Sequence, residues 1–186
     1  MHDIIGPEVF LGHSVFPNAF SARHVDLIQP FNLSYPLECD VFEPGATESR
    51  TSHTALIERV PENEWLYETA SRLAVKANRK YKFALDGIDE PIQIIRYQVN
   101  GEVGWHIDCG DRGIPSRRKL SLTVQLSQDS DYAGGDLEFM CDARAPFARA
   151  FGSVVAFPSF SCHRVTPVLT GCRYAMVIFA HGSPFT

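Results

Sequence analysis

Two histidines, one aspartate and one arginine carry the chemistry that this sequence offers. His106 and Asp108 are separated by a single residue, His163 follows much later, and Arg173 comes ten residues after His163. Residues i and i+2 of a β-strand project to the same face, so His106 and Asp108 can point to one centre. A histidine from a distant strand would complete a two-histidine, one-carboxylate set, the facial triad that holds non-haem Fe(II). The spacing therefore favours iron chemistry.

The residues around this set are typical of short strands separated by turns. Residues 92–99 are rich in β-branched and aromatic side chains, and Asn100-Gly101 follows them as a turn. Further strands are predicted within residues 104–108, 119–126, 132–139 and 152–158. Many short strands at this spacing indicate a sandwich or a barrel.

Polar and apolar residues alternate along residues 119–126, which predicts a strand with two different faces. Ser121, Thr123 and Gln125 would share one face, and the other would carry Leu120, Leu122, Val124 and Leu126. We expect the apolar face in the core. The polar face either lines a pocket or is solvated.

Five ordered blocks of this region resemble the Fe(II)- and 2-oxoglutarate-dependent oxygenases, and within them the prolyl-4-hydroxylase-type group that includes the PKHD-type hydroxylases. The blocks are Tyr97 with residues 104–108, residues 118–123, 132–137 and 152–158, and residues 163–168 ending in 171–174. They lie within residues 92–182, the expected catalytic core. The resemblance implies a mainly β fold with flanking helices: a double-stranded β-helix, which is a jelly roll related to cupins.

The resemblance also implies roles for single residues. His106, Asp108 and His163 match the family's metal ligands, and Arg173 matches the basic residue that holds the distal carboxylate of 2-oxoglutarate. A planar guanidinium can bind a carboxylate through two parallel hydrogen bonds. Residues 174–179 form an almost continuous apolar run after Arg173, and an arginine that opens a buried strand needs an anion.

Three further residues are candidates for contact with the cosubstrate. Tyr97 matches a position that is often a pocket tyrosine, and Thr123 and Gln125 fall on the strand that lines the cosubstrate pocket in the family. Some relatives carry a tyrosine that touches 2-oxoglutarate at the position of Gln125. Trp105 is expected in the core, with a substrate platform as the alternative.

The activity implied by the resemblance is Fe(II)- and 2-oxoglutarate-dependent hydroxylation of an unactivated C–H bond, with O₂ as oxidant and ascorbate as an optional reductant. A peptidyl proline, a free amino acid and a small biosynthetic intermediate remain open as substrates, and desaturation or cyclisation would begin in the same way. The alternative is a non-catalytic, cupin-like metal-binding module. Such a module would not need Arg173.

Length and composition agree with one catalytic domain over residues 1–186. The chain is 45% hydrophobic, and its sequence shows neither a run of about 20 apolar residues nor the profile of a signal peptide. We therefore expect a cytoplasmic protein without a membrane partner. The net charge of −5 gives no basic footprint for nucleic acid. Five cysteines without a Cys-x-x-Cys pair argue against a disulfide framework.

Two helices are predicted in the N-terminal half. The first covers residues 21–28, with Ser21 as its cap and Pro30 beyond its end. The second covers residues 62–78, with Pro61 at its start. Its predicted apolar stripe consists of Trp65, Leu66, Thr69, Leu73 and Ala77.

Overall fold

Short strands dominate the structure, a computed structural model that describes residues 13–17, 19–21, 23–24, 52–140 and 149–185. In chain order the strands are β1 Ser14–Phe16, β2 His53–Ile57, β3 Leu85–Gly87, β4 Ile92–Tyr97, β5 Val103–His106, β6 Arg118–Gln125, β7 Tyr132–Gly134, β8 Leu137–Phe139, β9 Val154–Pro158, β10 His163–Val165, β11 Val168–Gly171 and β12 Arg173–Gly182. Helix α1, Glu64–Tyr81, lies between β2 and β3.

The strands form three antiparallel sheets of seven, three and two strands, and the two larger sheets pack face to face. The major sheet has the order β1-β9-β6-β12-β4-β2, and β3 pairs with the C-terminal end of β12. The minor sheet has the order β5-β10-β8, and β11 pairs with β7 beside it. An apolar cluster joins the two sheets, with Ile95, Val155 and Phe157 from the major sheet and Val103 and Val165 from the minor sheet. The predicted mainly β jelly roll is confirmed.

Strand β6 shows the predicted alternation and separates the two parts of the core. Leu120, Leu122 and Val124 are fully buried in the cluster that the major sheet forms with α1. Thr123 and Gln125 point to the opposite side, where they line space between the two sheets. The polar face of this strand is therefore a pocket wall.

Helix α1 covers the outer face of the major sheet. It begins at Glu64, two residues later than predicted, because Pro61–Asn63 form a separate 3-10 turn. Its buried residues are Leu66, Tyr67, Ala70, Ala74, Ala77 and Tyr81. Of the predicted stripe, Leu66 and Ala77 are buried, and Trp65 and Leu73 are partly buried and pack against the same core. Thr69 is partly buried. The helix also turns its alanines toward the sheet, because small side chains allow close packing.

Of the first predicted helix, residues 21–28, only Ser21, Arg23 and His24 are described, and the rest lies outside the described residues. Arg23 and His24 are helical. Across the described ranges, no helix has both the length and the apolar character that crossing a membrane requires.

Candidate active site

Strands β5 and β10 place two histidines side by side. His106 lies directly opposite His163 in the register of the two strands, and their ring centroids are 4.2 Å apart. The Nδ1 atom of His106 is 2.9 Å from the carbonyl oxygen of Gly104, and that of His163 is 2.9 Å from the carbonyl oxygen of Ser161. A proton on each Nδ1 leaves each Nε2 with a free lone pair, the arrangement that metal-binding histidines use.

Asp108 reaches the same centre from a bend, not from a strand as the sequence predicted. Strand β5 ends at His106, and the main-chain N–H of Asp108 donates to the carbonyl oxygen of Ser159 at 2.8 Å. This bond holds the bend against the end of β9. The carboxylate Oδ1 lies 3.4 Å from Nε2 of His106, and Oδ2 lies 3.7 Å from Nε2 of His163.

The three side chains suit an Fe(II) ion. Their candidate ligand atoms all lie within 4.8 Å of one another. Ligands about 2.1 Å from one ion in adjacent octahedral positions are about 3 Å apart, so a small contraction would bring the three onto one centre. Two imidazoles and one carboxylate are also the donor set that non-haem Fe(II) uses.

The electrostatics keep two of these groups in the states that bind metals. Burial raises the pKa of Asp108, but attraction to His163 and His106 and hydrogen bonds from His106 and Ser121 outweigh it and lower that pKa to about 2. Burial lowers the pKa of His163, and its attraction to Asp108 only partly opposes this. At neutral pH the carboxylate is therefore charged and His163 is neutral.

A cavity of about 360 Å³ between the sheets contains all three residues and also Arg173. Arg173 opens β12 and is only 5% exposed. Its Nη1 atom is buried and has no hydrogen-bond partner among the described residues. A buried guanidinium with an unpaired donor is costly unless an anion binds to it. The site therefore also suits a cosubstrate that binds the metal at one end and carries a carboxylate for Arg173 at the other end.

The other predicted residues surround this guanidinium. Tyr97 lies opposite Arg173 in the register of β4 and β12, with its ring centroid 5.1 Å from Cζ of Arg173. The Nε atom of Arg173 donates to Oε1 of Gln125 at 3.2 Å. Thr123 lines the same cavity. Six of the seven predicted residues line this cavity, and the seventh, Gln125, reaches it only through its bond to Arg173. Their roles in binding stay predictions.

Sequence reasoning missed several residues of the site. Ser121 lines the cavity with its Oγ 3.0 Å from Oγ of Ser159, and its place on the polar face of β6 was the only signal. Tyr132 and Ser153 lie beside Arg173, but they precede or follow glycines in turns, which indicates nothing about a pocket. Trp105 was expected in the core; it is 37% exposed, with its ring 4.7 Å from the guanidinium of Arg164.

Comparison with known families agrees with this geometry. Residues 92–181 match the model of the 2OG-Fe(II) oxygenase superfamily. This part of the chain belongs to that superfamily. The matched oxygenase segment runs from the start of β4 almost to the end of β12 and includes every residue that the sequence singled out for metal or cosubstrate binding.

Relatives of this oxygenase segment are PKHD-type hydroxylases, as the sequence predicted. One from Shewanella baltica is 40% identical over 84 residues, which are 43% of this chain and 38% of that protein. Another from Synechococcus is 36% identical over 96 residues, 51% of this chain and 43% of that protein. The similarity thus spans about two fifths of the length of these relatives.

Solved structures share the oxygenase fold over most of the chain. A Pseudomonas putida prolyl-4-hydroxylase superposes with a TM-score of 0.66 at 17% identity, covering 92% of this chain and 93% of that one. A viral collagen prolyl hydroxylase from Paramecium bursaria Chlorella virus-1, solved with 2OG, gives 0.69 at 16% identity, covering 92% and 96%. At this level of identity the likeness concerns the fold.

Proposed function

We propose that this chain is an Fe(II)- and 2-oxoglutarate-dependent dioxygenase that hydroxylates an unactivated C–H bond. One observation supports it above the others: a single cavity contains both the His106, Asp108 and His163 set and the buried Arg173 with an unpaired Nη1. A module that used its metal only structurally would have no use for such an arginine. A dicarboxylate cosubstrate explains both features together.

In this proposal each residue has a distinct task. His106, Asp108 and His163 hold Fe(II), and Arg173 binds the distal carboxylate of 2-oxoglutarate. Tyr97 packs on the guanidinium. Thr123 lines the path between the two ends, and Gln125 keeps Arg173 in place through its hydrogen bond. Bound together, Fe(II) and 2-oxoglutarate supply the O₂ activation that oxidises a C–H bond, with succinate and CO₂ as products.

The walls of the cavity protect that chemistry from water. Leu137, Phe157, Val165 and Val177 line it beside the candidate ligands, and Phe157 packs edge to face on His163 with centroids 4.7 Å apart. An apolar wall limits the entry of water to the metal and so limits side reactions. The target carbon must then be presented by the substrate at the open end.

As substrate we propose an amino-acid-type group, with a peptidyl proline first and a free amino acid second. The support comes from the PKHD-type hydroxylases and prolyl hydroxylases to which the chain is similar. A cavity of about 360 Å³ that also has to hold the cosubstrate leaves room for a group of side-chain size. A small biosynthetic intermediate is the alternative substrate, with hydroxylation, desaturation or cyclisation as the outcome.

The first test is turnover of 2-oxoglutarate. Purified protein with Fe(II), O₂ and 2-oxoglutarate, with and without ascorbate, should release succinate, while His106→Ala, Asp108→Ala and His163→Ala should not. His53→Ala, on β2 away from the cavity, is the matched control and should keep wild-type turnover. Loss of bound metal in the three variants should accompany the loss of succinate. Wild-type protein that binds metal but never consumes 2-oxoglutarate would favour the structural module instead.

The second test identifies the substrate. Proline-containing peptides, free amino acids and small carboxylic acids are incubated separately with the complete system, and products are analysed by mass spectrometry. A gain of one oxygen atom coupled to increased succinate identifies a hydroxylation substrate. Loss of two hydrogens would indicate desaturation or cyclisation.

A further inference from the structure

A second, smaller cavity of about 20 Å³ lies on the β7 and β9 side of Arg173. The small cavity is lined by Arg173, Thr123, Tyr132 and Ser153, among others. Arg173 and Thr123 also line the large cavity. This volume is close to what one water molecule or one carboxylate oxygen occupies. The small cavity thus adjoins the large one at the place where the distal end of the cosubstrate would lie.

Two buried donors at this cavity have no acceptor in the described part of the chain. Ser153 is 1% exposed and Arg173 is 5% exposed. Neither Oγ of Ser153 nor Nη1 of Arg173 has a hydrogen-bond partner among those residues. Buried polar groups are nearly always hydrogen-bonded, so two orphan donors lining one cavity indicate a ligand with acceptor oxygens.

Tyr132 contributes a third donor, because of the way in which the Gln125 amide is oriented. Arginine can only donate, so the Gln125 atom that faces Nε of Arg173 must be the oxygen. The amide nitrogen is then at the other position, where it donates to Oη of Tyr132 at 2.8 Å and to the carbonyl oxygen of Ser127 at 3.3 Å. Since the hydroxyl of Tyr132 accepts this bond, its own hydrogen remains to be donated.

The charge of the small cavity also suits an anion. The described residues that line it include one carboxylate, Asp136, but Arg149 pairs with Asp136 and also with Asp129. Arg149 additionally donates to the carbonyl oxygen of Gly134 at 2.9 Å and is therefore occupied. Among the described residues that line the small cavity, no carboxylate pairs with the guanidinium of Arg173.

We infer that Ser153 and Tyr132 bind the distal carboxylate of 2-oxoglutarate together with Arg173. The inference rests on the proposed function and adds two residues to it. Gln125 acts on the same carboxylate only through its neighbours: it holds Nε of Arg173 and fixes the direction in which the Tyr132 hydroxyl donates. Gln125 is thus a positioning residue.

The test measures binding without turnover. The affinity for 2-oxoglutarate is determined by calorimetry under nitrogen with Mn(II) in place of Fe(II), for wild type, Ser153→Ala and Tyr132→Phe. Each variant loses one hydrogen bond to a charged group, so each should bind 2-oxoglutarate about tenfold more weakly. The affinity for Mn(II) should not change. Combined with Arg173→Leu, either substitution should have no further effect.

Tyr81→Phe is the matched control for the tyrosine. Its hydroxyl is also buried, but it donates to the carbonyl oxygen of Ala156 in the core. This variant should lose thermal stability and keep the wild-type affinity for 2-oxoglutarate. Ser153→Ala should do the opposite: its ligand-free melting temperature should not fall, because the lost hydroxyl had no partner, while its stabilisation by 2-oxoglutarate should shrink.

The outcomes separate this inference from the proposed function. Wild-type protein with Mn(II) that does not bind 2-oxoglutarate would overturn both. Wild-type binding with unchanged affinity in Ser153→Ala and in Tyr132→Phe would overturn the inference and leave the proposed function standing. A fall in the ligand-free melting temperature of Ser153→Ala at unchanged affinity would assign that hydroxyl a structural role, which also overturns its part of the inference.

Discussion

The guanidinium of Arg118 donates a hydrogen bond of 2.9 Å to the main-chain carbonyl oxygen of Asp108. The same side chain forms two bonds to Glu90, at 2.6 and 2.7 Å, and lies 3.8 Å from the centroid of the Phe179 ring. Asp108 lies beyond the end of its strand, so these contacts and the bond to Ser159 replace the sheet in holding it. The position of a candidate metal ligand thus depends on an arginine that is not itself a candidate ligand.

Replacing Arg118 with glutamine should therefore weaken metal binding. Loss of a group that orients a metal ligand typically lowers metal affinity about 10- to 100-fold. Titration with Mn(II) or Co(II) measures the effect. Arg117→Gln is the control, because Arg117 pairs with Asp86 and Asp89 at the surface and should not affect the metal. Equal metal affinity in wild type and Arg118→Gln would mean that Ser159 alone fixes Asp108.

Gly135→Ala should weaken binding of 2-oxoglutarate. Gly135 has a φ of +64°, and a Cβ there would lie 3.0 Å from Cδ of Arg173 and 3.0 Å from Cγ2 of Val168. The backbone strain should cost about 1–3 kcal/mol of unfolding free energy, and the contact should displace the guanidinium. Urea unfolding and calorimetric titration measure the two effects.

Gly113→Ala separates strain from displacement. Gly113 has a similar φ of +62°, but its nearest atom would be Cδ of Pro115 at 3.9 Å. This variant should lose similar stability and keep the affinity for 2-oxoglutarate. A loss of affinity in both variants would show that global destabilisation, and not contact with Arg173, is responsible.

Arg173 itself should show a graded response. Arg173→Lys keeps the charge but loses the planar fork, so the affinity for 2-oxoglutarate should fall moderately, by about tenfold. Arg173→Leu should abolish most binding. Succinate release is measured against 2-oxoglutarate concentration, with Arg164→Leu on the outer face of β10 as the control. Equal apparent affinity in all variants would assign the distal carboxylate to another residue.

Stability should depend on the ionisation of Glu90. Burial raises the pKa of Glu90, but hydrogen bonds from His181 and Arg118 outweigh it and lower that pKa from 4.5 to about 2. A carboxyl whose pKa is lower in the folded state stabilises the protein above its unfolded pKa, and this contribution is lost as the pH falls from about 4.5 to about 2. The difference corresponds to at most about 3 kcal/mol.

Glu90→Gln should accordingly be less stable than wild type at pH 7, and this gap should narrow at pH 3. Urea unfolding at several pH values measures it. Glu138→Gln serves as the control, since Glu138 pairs with Arg164 in a half-exposed ion pair that should contribute little. A gap between wild type and Glu90→Gln that stays constant from pH 7 to pH 3 would contradict the assignment.

Local patterns were sufficient for much of the fold. The alternation along β6 predicted which side chains face the core, since the side-chain period of a strand does not depend on its partners. The limits of α1 were less predictable. Pro61 and the residues after it can start either a 3-10 turn or an α-helix, and packing against the sheet selects which face of the helix is buried.

Trp105 shows why burial is harder to predict than strand character. It alternates with His106 on β5, and placing the histidine toward the cavity forces the tryptophan to the outer face, where Arg164 covers it. Hydrophobicity alone indicated the core. Trp105 faces outward because its neighbour His106 faces the cavity beside His163.

The sequence by itself determined the strand-rich architecture, the candidate ligands His106, Asp108 and His163, and the need of Arg173 for an anion, because these follow from residue type, order and spacing. Only the tertiary structure decided how Asp108 reaches the centre from a bend, and that Ser153 and Tyr132 lie beside Arg173. Those relations join residues far apart in the chain, and they arise from the packing of one sheet on the other. A local sequence pattern therefore cannot predict that the packing leaves the donors of Ser153 and Arg173 without an acceptor among the described residues.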